Sequence, residues 1–175
     1  TIPGSIGGNI FMNAGCYNQE IKDKLLSVIF YDINDNKIHE KYTTDLHFDY
    51  RKGFQKKNTI ILFGKFKISK GEKTYIKKLM KDYESIRNKT QPQKVNCCGS
   101  IFKNPKNQSA WQLIKSSIDE SFYKGPIKLS KIHSNFFEND PNISANSIDL
   151  FISKIQKRVK EKHNIILERE LRIID

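Results

Sequence analysis

Within eight residues, Cys98-Gly99-Ser100-Ile101-Phe102-Lys103-Asn104-Pro105, the sequence sets a hydroxyl, an ammonium and an amide beside a glycine. Glycine lets the backbone come close to a bound molecule. Lys103 can neutralise an anion, Asn104 offers both a donor and an acceptor, and Pro105 fixes the exit of the turn. The same residues also suit a tight turn with Phe102 packed in a core. A second glycine cluster, Pro3-Gly4-Ser5-Ile6-Gly7-Gly8, runs on to Asn13-Ala14-Gly15. Backbone N–H groups in such a stretch can approach an anion or a flat ring without side-chain obstruction. It is not a GxGxxG fingerprint and no strand pattern precedes it, so a Rossmann fold is not expected. Tyr50-Arg51 adds a cation beside a phenol, and Glu168 and Glu170 add two carboxylates near the other end.

These residues need elements to hold them. Residues 26–33 alternate enough to form a strand, residues 32–36 read as a turn, and residues 37–42 return as its hairpin partner. Residues 60–68 predict a second, buried strand. Residues 72–88 have helical spacing, with Tyr75, Leu79, Tyr83 and Ile86 forming one apolar stripe toward a core. A helix over residues 110–117 is expected to pack Trp111 and Ile114 inside. Ser144 is a candidate N-cap for a helix whose Ile148, Ile152, Ile155 and Val159 line a buried face. Residues 165–174 then read as a closing strand with Glu168 and Glu170 on one face and Arg169 on the other.

A chain of 175 residues can bury one good core, or two small ones. Its formal net charge of +12 invites a nucleic-acid reading, but the lysines are spread along the whole chain. No helix-turn-helix, aromatic RNP pattern or zinc finger accompanies them, so no specific nucleic-acid partner is expected. The excess instead suits an anionic small ligand. Cys16, Cys97 and Cys98 have no zinc-ligand spacing with the four histidines, and reduced thiols with no metal site are expected. No apolar run approaches the ~18 residues that cross a bilayer, and the opening lacks the regions of a signal peptide. The expectation is a cytoplasmic protein with no membrane partner.

Seven stretches taken in order have a common explanation. Ile2-Pro3-Gly4-Ser5-Ile6-Gly7-Gly8-Asn9 with Asn13-Ala14-Gly15 comes first, then Phe48-Asp49-Tyr50-Arg51, Gln91-Pro92 and the Gly99 to Pro105 segment. Trp111-Gln112-Leu113-Ile114, residues 130–136 around His133, and Leu167-Glu168-Arg169-Glu170-Leu171 complete the series. In this order the stretches resemble the UDP-N-acetylenolpyruvylglucosamine reductases, the FAD-dependent MurB family of peptidoglycan synthesis, in its compact type. The family's segment ahead of the Ile-Pro-Gly loop has no counterpart, so the resemblance is to the family without its N-terminal part. One local departure follows Tyr50-Arg51: the family usually has a serine two residues beyond the arginine, and here that position is Gly53.

The resemblance implies an α+β chain: residues 1–86 as the C-terminal part of an FAD-binding subdomain, and residues 87–175 as the substrate-binding subdomain. It implies NADPH-dependent, FAD-mediated reduction of the enolpyruvyl group of a UDP-sugar substrate to give UDP-N-acetylmuramate. It carries over Pro3, Gly4, Ser5, Gly7, Gly8, Asn13 and Gly15 as cofactor-binding residues. Arg51 is carried over as the cation that stabilises developing negative charge, Ser100 as proton donor, and Glu170 as its acidic partner. Tyr50, Lys103 and Asn104 are carried over as substrate contacts, with Lys103 facing either phosphate or solvent. The alternative is a non-catalytic remnant module that binds an anion or a UDP-sugar.

Overall fold

The computed structural model describes residues 4–173, in two units that divide between Met80 and Lys81. In the first, α1 (Ile6–Met12) starts where the Gly8 N–H donates to Ser5 Oγ at 3.1 Å. It ends where Asn13 turns left-handed at φ 46°. The glycine-rich opening is therefore helical from Ile6 rather than a loop. A capping serine and the full burial of Ile10 offset the cost of two helical glycines.

A short hairpin follows, β1 (Gly15–Cys16) with β2 (Gln19–Glu20). Next come β3 (Leu25–Asp32), β4 (Lys37–Tyr42) and β5 (Thr59–Phe66), an antiparallel sheet in the order β4-β3-β5. Leu25, Val28 and Phe30 of β3 form a core with Ile10 and Phe54. The hairpin expected over residues 26–42 is present. The second strand is present too, but β5 is an edge rather than a buried strand, with Ile60 53% and Phe63 65% exposed.

Helix α2 (Lys73–Thr90) crosses the division between the units. The Glu72 carboxylate holds its start by accepting the Thr74 and Tyr75 N–H groups at 3.0 and 2.6 Å. The expected helix is there, yet no residue of it is buried, so its apolar stripe does not face a core.

The second unit is built on α3 (Ala110–Ser117), a 3₁₀ turn at Glu120–Tyr123, the hairpin of β6 (Ile127–Leu129) and β7 (Phe137–Asn139), and α4 (Ala145–His163). Ser144 caps α4 by accepting the Ser147 N–H at 3.2 Å, and Asn164 ends it at φ 56°. Lys160, Lys162 and His163 in the last turn suit the helix dipole. Ile152, Ile155 and Val159 pack with Ile101, Phe102, Ile114, Leu129, Phe137 and Leu167. Trp111 departs from expectation at 36% exposed. The closing stretch departs as well: instead of a continuous strand it makes one isolated antiparallel bridge, Arg169 with Phe102. Its Ile174 lies outside the described residues. No helix among the described residues is long and apolar enough to cross a membrane.

Candidate active site

Ser100 sits between a flexible residue and a locked one. Gly99 before it has φ 85°, and the space its missing Cβ leaves is open. After it, the Ile101 N–H donates to the Asn135 carbonyl at 2.9 Å. The side chain of the same asparagine accepts from the Phe102 N–H at 3.0 Å and donates to the Phe102 carbonyl at 2.8 Å. Asn135 and Phe102 are both buried, so this amide pairs backbone groups that water cannot reach. The Ser100 hydroxyl itself makes no hydrogen bond among the described residues, so its proton is not committed elsewhere in the unit.

The other flank of this segment is the closing stretch. The Glu170 N–H donates to the Ile101 carbonyl at 2.8 Å, and the Lys103 N–H to the Glu168 carbonyl at 2.9 Å. Glu170 is thus paired one residue away from Ser100, and its charge also reaches Cys98. Burial pushes the Cys98 thiol up to about 11, and Cys97 and Glu170 add to the rise. The thiol therefore keeps its proton at neutral pH. Arg169 fixes the stretch to α4: its guanidinium donates to Asp149, to Ser153 Oγ at 2.9 Å and to Gln156 Oε1 at 3.3 Å. Gln156 in turn donates to the Leu167 carbonyl at 2.8 Å.

Lys103 and Asn104 are partly committed within the unit. Lys103 Nζ lies 2.5 Å from Glu168 Oε1, with the lysine side chain only 13% exposed and the glutamate 69%. Asn104 Oδ1 accepts the Ala110 N–H at 3.0 Å and so caps α3, a task that Ser109 at the N-cap position does not perform. His133 stands between Trp111 and Phe136, with ring centroids 6.0 and 4.9 Å away. Its Nδ1 accepts the Asn135 N–H at 3.3 Å, and burial holds its pKa below the ordinary value. It is a neutral, packed histidine that positions Asn135.

The remaining expected residues belong to the first unit. Pro3 lies outside the described residues. Gly4 has φ 130° with nothing within 4 Å of where a Cβ would be, and Gly8 is exposed. Ser5 is the cap of α1. Gly7 packs at ordinary distance on Ile61. Asn13 spends its side chain inside the chain: it donates to Glu20 Oε2 and to the Asp49 carbonyl, each at 3.0 Å, and accepts the Lys22 N–H at 3.2 Å. Gly15 is required by the hairpin, because a Cβ there would lie 2.4 Å from the Gln19 carbonyl oxygen.

Arg51, at φ 56°, donates to the Gly15 carbonyl at 3.0 Å and stacks 4.7 Å from the centre of the Tyr50 ring. The turn carrying it closes through paired Asp49 and Lys52 backbone bonds. It docks on α1 through the Gly53 and Phe54 N–H groups, which donate to the Phe11 and Ile10 carbonyls. A Cβ at Gly53 would fall 1.8 Å from the Ile10 carbonyl oxygen. The family's serine cannot be accommodated there unless α1 shifts.

The structure thus groups Ser100 with Glu170, and separately Arg51 with Tyr50 and Gly15. Asn135 and the Arg169 clamp are the residues that sequence reasoning missed. The one signal for Asn135 was a polar residue directly followed by Phe136 and Phe137.

Residues 91–174 match the family described as UDP-N-acetylenolpyruvoylglucosamine reductase, C-terminal domain. Over 99% of its length the chain is 36% identical to the UDP-N-acetylenolpyruvoylglucosamine reductase of Pelagibacter ubique and 37% identical to that of Staphylococcus aureus. It spans 58% and 56% of those two proteins. The crystal structure of UDP-N-acetylenolpyruvylglucosamine reductase (MurB) from Thermus caldophilus superposes on 98% of the chain with a TM-score of 0.80 at 29% identity, and 60% of that protein is covered. The match runs through both units and includes the Ser100 segment and the stretch that pairs with it, so the chain is similar over 99% of its length to UDP-N-acetylenolpyruvoylglucosamine reductases.

Proposed function

We propose that this chain provides the substrate-reducing half of a UDP-N-acetylenolpyruvoylglucosamine reductase, with a UDP-sugar as substrate and with FAD and NADPH as its redox partners. The observation that carries the reading is the uncommitted Ser100 hydroxyl, held on a doubly anchored backbone with Glu170 paired beside it.

The described residues fit a flavin as one wall of its site. The open backbone at Gly4 and the exposed Gly8 can admit a flat ring, whereas Gly7, Asn13 and Gly15 hold the fold that presents them. A bound FAD, replenished by NADPH, would supply the hydride for reducing the enolpyruvyl double bond. The chain's own residues handle the charge and the proton that this demands. Arg51, whose guanidinium is held beside Gly15 and Tyr50, supplies positive charge toward a carboxylate on which negative charge grows. Ser100 Oγ–H donates its proton to the carbon that has become basic, and Glu170 stabilises and replenishes that group. The anchoring of Ile101 and Phe102 keeps the hydroxyl in place without a side-chain bond that would have to break first.

The test uses a polypeptide of the relatives' length carrying this sequence. Ser100→Ala should leave flavin reduction by NADPH unchanged and slow flavin reoxidation by substrate about 100-fold or more. Reoxidation at the parent rate would remove Ser100 from the mechanism. The internal commitment of Asn13 and Gly15 favours a second reading, a non-catalytic module that binds a UDP-sugar without flavin. Titrating the chain with FAD separates the two, because saturable binding with a shifted flavin spectrum contradicts the module.

A further inference from the structure

Two thiols on consecutive residues stand just ahead of Ser100. Cys97 and Cys98 are both free and exposed, in a stretch that is neither helix nor strand. A strand would point adjacent side chains to opposite faces and a helix would turn neighbours away from each other, whereas this backbone lets both sulfurs turn to one side. It is held at its two ends, where the Asn139 N–H donates to the Asn96 carbonyl at 3.2 Å and the Ile101 N–H to the Asn135 carbonyl at 2.9 Å. Between these ends Gly99, at φ 85° with open space where a Cβ would be, gives it room. Burial is the first cause of the raised Cys98 thiol and Cys97 the second, so the two sulfurs stand close enough to act on each other.

The chemistry open to this pair is narrow. Their shared peptide bond is trans, which sets the Cα atoms about 3.8 Å apart, closer than the ~4.4 Å at which ordinary disulfides begin. Oxidation therefore has no relaxed bond to form. Zinc takes four ligands, cysteines as thiolates, yet among the described residues the one group of three suitable donors is Asp32, Asp35 and His39 in the first unit. The Cys98 thiol also keeps its proton at neutral pH. A neutral electrophile with two exchangeable groups on one soft atom needs no third ligand and leaves no net charge behind.

We propose that Cys97 and Cys98 form a dithiol site for trivalent arsenicals, in which one arsenic closes a ring across both sulfurs two residues from Ser100. With arsenous acid, two As–O and two S–H bonds break, two As–S bonds form and two waters leave. Arsenic stays trivalent, and no charge is added beside Glu170, whose own charge reaches Cys98. The proposal rests on the thiols alone and not on the catalytic reading, and its test reads binding rather than turnover.

The probe is phenylarsine oxide, added to the whole chain, with free thiols counted by a chromogenic disulfide. The count should fall from three to one. It should be restored by 2,3-dimercaptopropanol and not by the same thiol concentration of 2-mercaptoethanol, because only a dithiol replaces both bonds at once. The tryptic peptide of residues 95–103, bounded by Lys94 and Lys103, should carry one phenylarsenic group. Cys97→Ser and Cys98→Ser should each weaken retention at least about 100-fold, since the second As–S bond forms at high effective concentration. Cys16→Ser should leave retention unchanged. A count that stays at three, a fall that needs Cys16, or retention in either single variant equal to that of the wild type would overturn the proposal. So would one arsenic joining two chains, because the dithiol would then be intermolecular.

Discussion

In the second unit Ile152, Ile155 and Val159 of α4 meet Ile101, Phe102, Ile114 and Leu167, and none of the seven is more than 1% exposed. In the first unit five buried apolar residues form the core, while Ile38, Ile60 and Phe63 stand in water on the far side of the same sheet. A layer architecture is stable when each apolar face is covered by another layer. The second unit meets that condition within itself and the first meets it on one face. The difference teaches where each unit's order comes from: α4 and the Arg169 clamp hold the Ser100 segment from within, whereas the first unit packs one face of its sheet and leaves the other exposed.

The largest expected effect breaks the closed core. Ile155→Ala removes a fully buried side chain from a packed cluster and should cost about 2–5 kcal/mol. Ile60→Ala on the bare face should cost less than about 1 kcal/mol. Urea unfolding followed by the fluorescence of the single tryptophan, Trp111, measures the first, and amide circular dichroism the second. Equal costs would dissolve the distinction between the units.

Next comes the anchor of the site. Asn135→Ala leaves the buried N–H and carbonyl of Phe102 without their partner, at roughly 1–3 kcal/mol for each group left unpaired. Exchange of the Phe102 amide should speed up more than that of α4 amides. An unchanged rate at Phe102 would mean that Asn135 is not what fixes the segment.

The legibility of the sequence follows the same division. Elements with a strong period and a cap, such as α4 with Ser144 and its isoleucines, were readable because local pattern and tertiary burial agree there. The stripe of α2 and the run of β5 have the same patterns but no cover, and pattern reports the capacity to be buried, not the partner that does it. The Ser100 segment stood out in the sequence by its residue types. Its anchoring did not, because Asn135 is 33 residues from Phe102, and a pairing at that separation leaves no local trace. Gly15 is expected as a cofactor contact and Gly53 only as a departure after Arg51, while the structure shows that close approaches of Gln19 and Ile10 require them.

Acid should separate the units. His133 in the second has its pKa lowered by burial from the ordinary 6.5. Its neutral form is the folded one, so stability is intact above 6.5 and declines as pH falls below it. Asp32 in the first has its pKa lowered from 3.8 to about 2, chiefly by its hydrogen bond with Lys56 and then by the Asn34 N–H. Its contribution is present above 3.8 and is lost as pH falls toward about 2. Between pH 6 and about 4, therefore, Trp111 should report softening of the second unit while the first unit's amide signal holds. His133→Gln should remove the first transition and Lys56→Met the second. A first unit that softens above pH 5 would assign its order to other groups.

The smallest effect tests whether charge, rather than packing, distinguishes the units. Lys157 and Glu161 lie on one face of α4 at 3.9 Å, with side chains 77% and 52% exposed. Two long side chains in water gain little Coulomb energy from each other and lose rotamer freedom in holding one geometry. Lys157→Ala should therefore leave the second unit's unfolding midpoint unchanged, and added salt should not shift it. The formal net charge of +12 acts in the opposite direction, since removing one cation from a crowded set relieves repulsion. A midpoint that rises in Lys157→Ala, and rises equally for the wild-type chain in salt, would show that repulsion among lysines works against the closed core of the second unit.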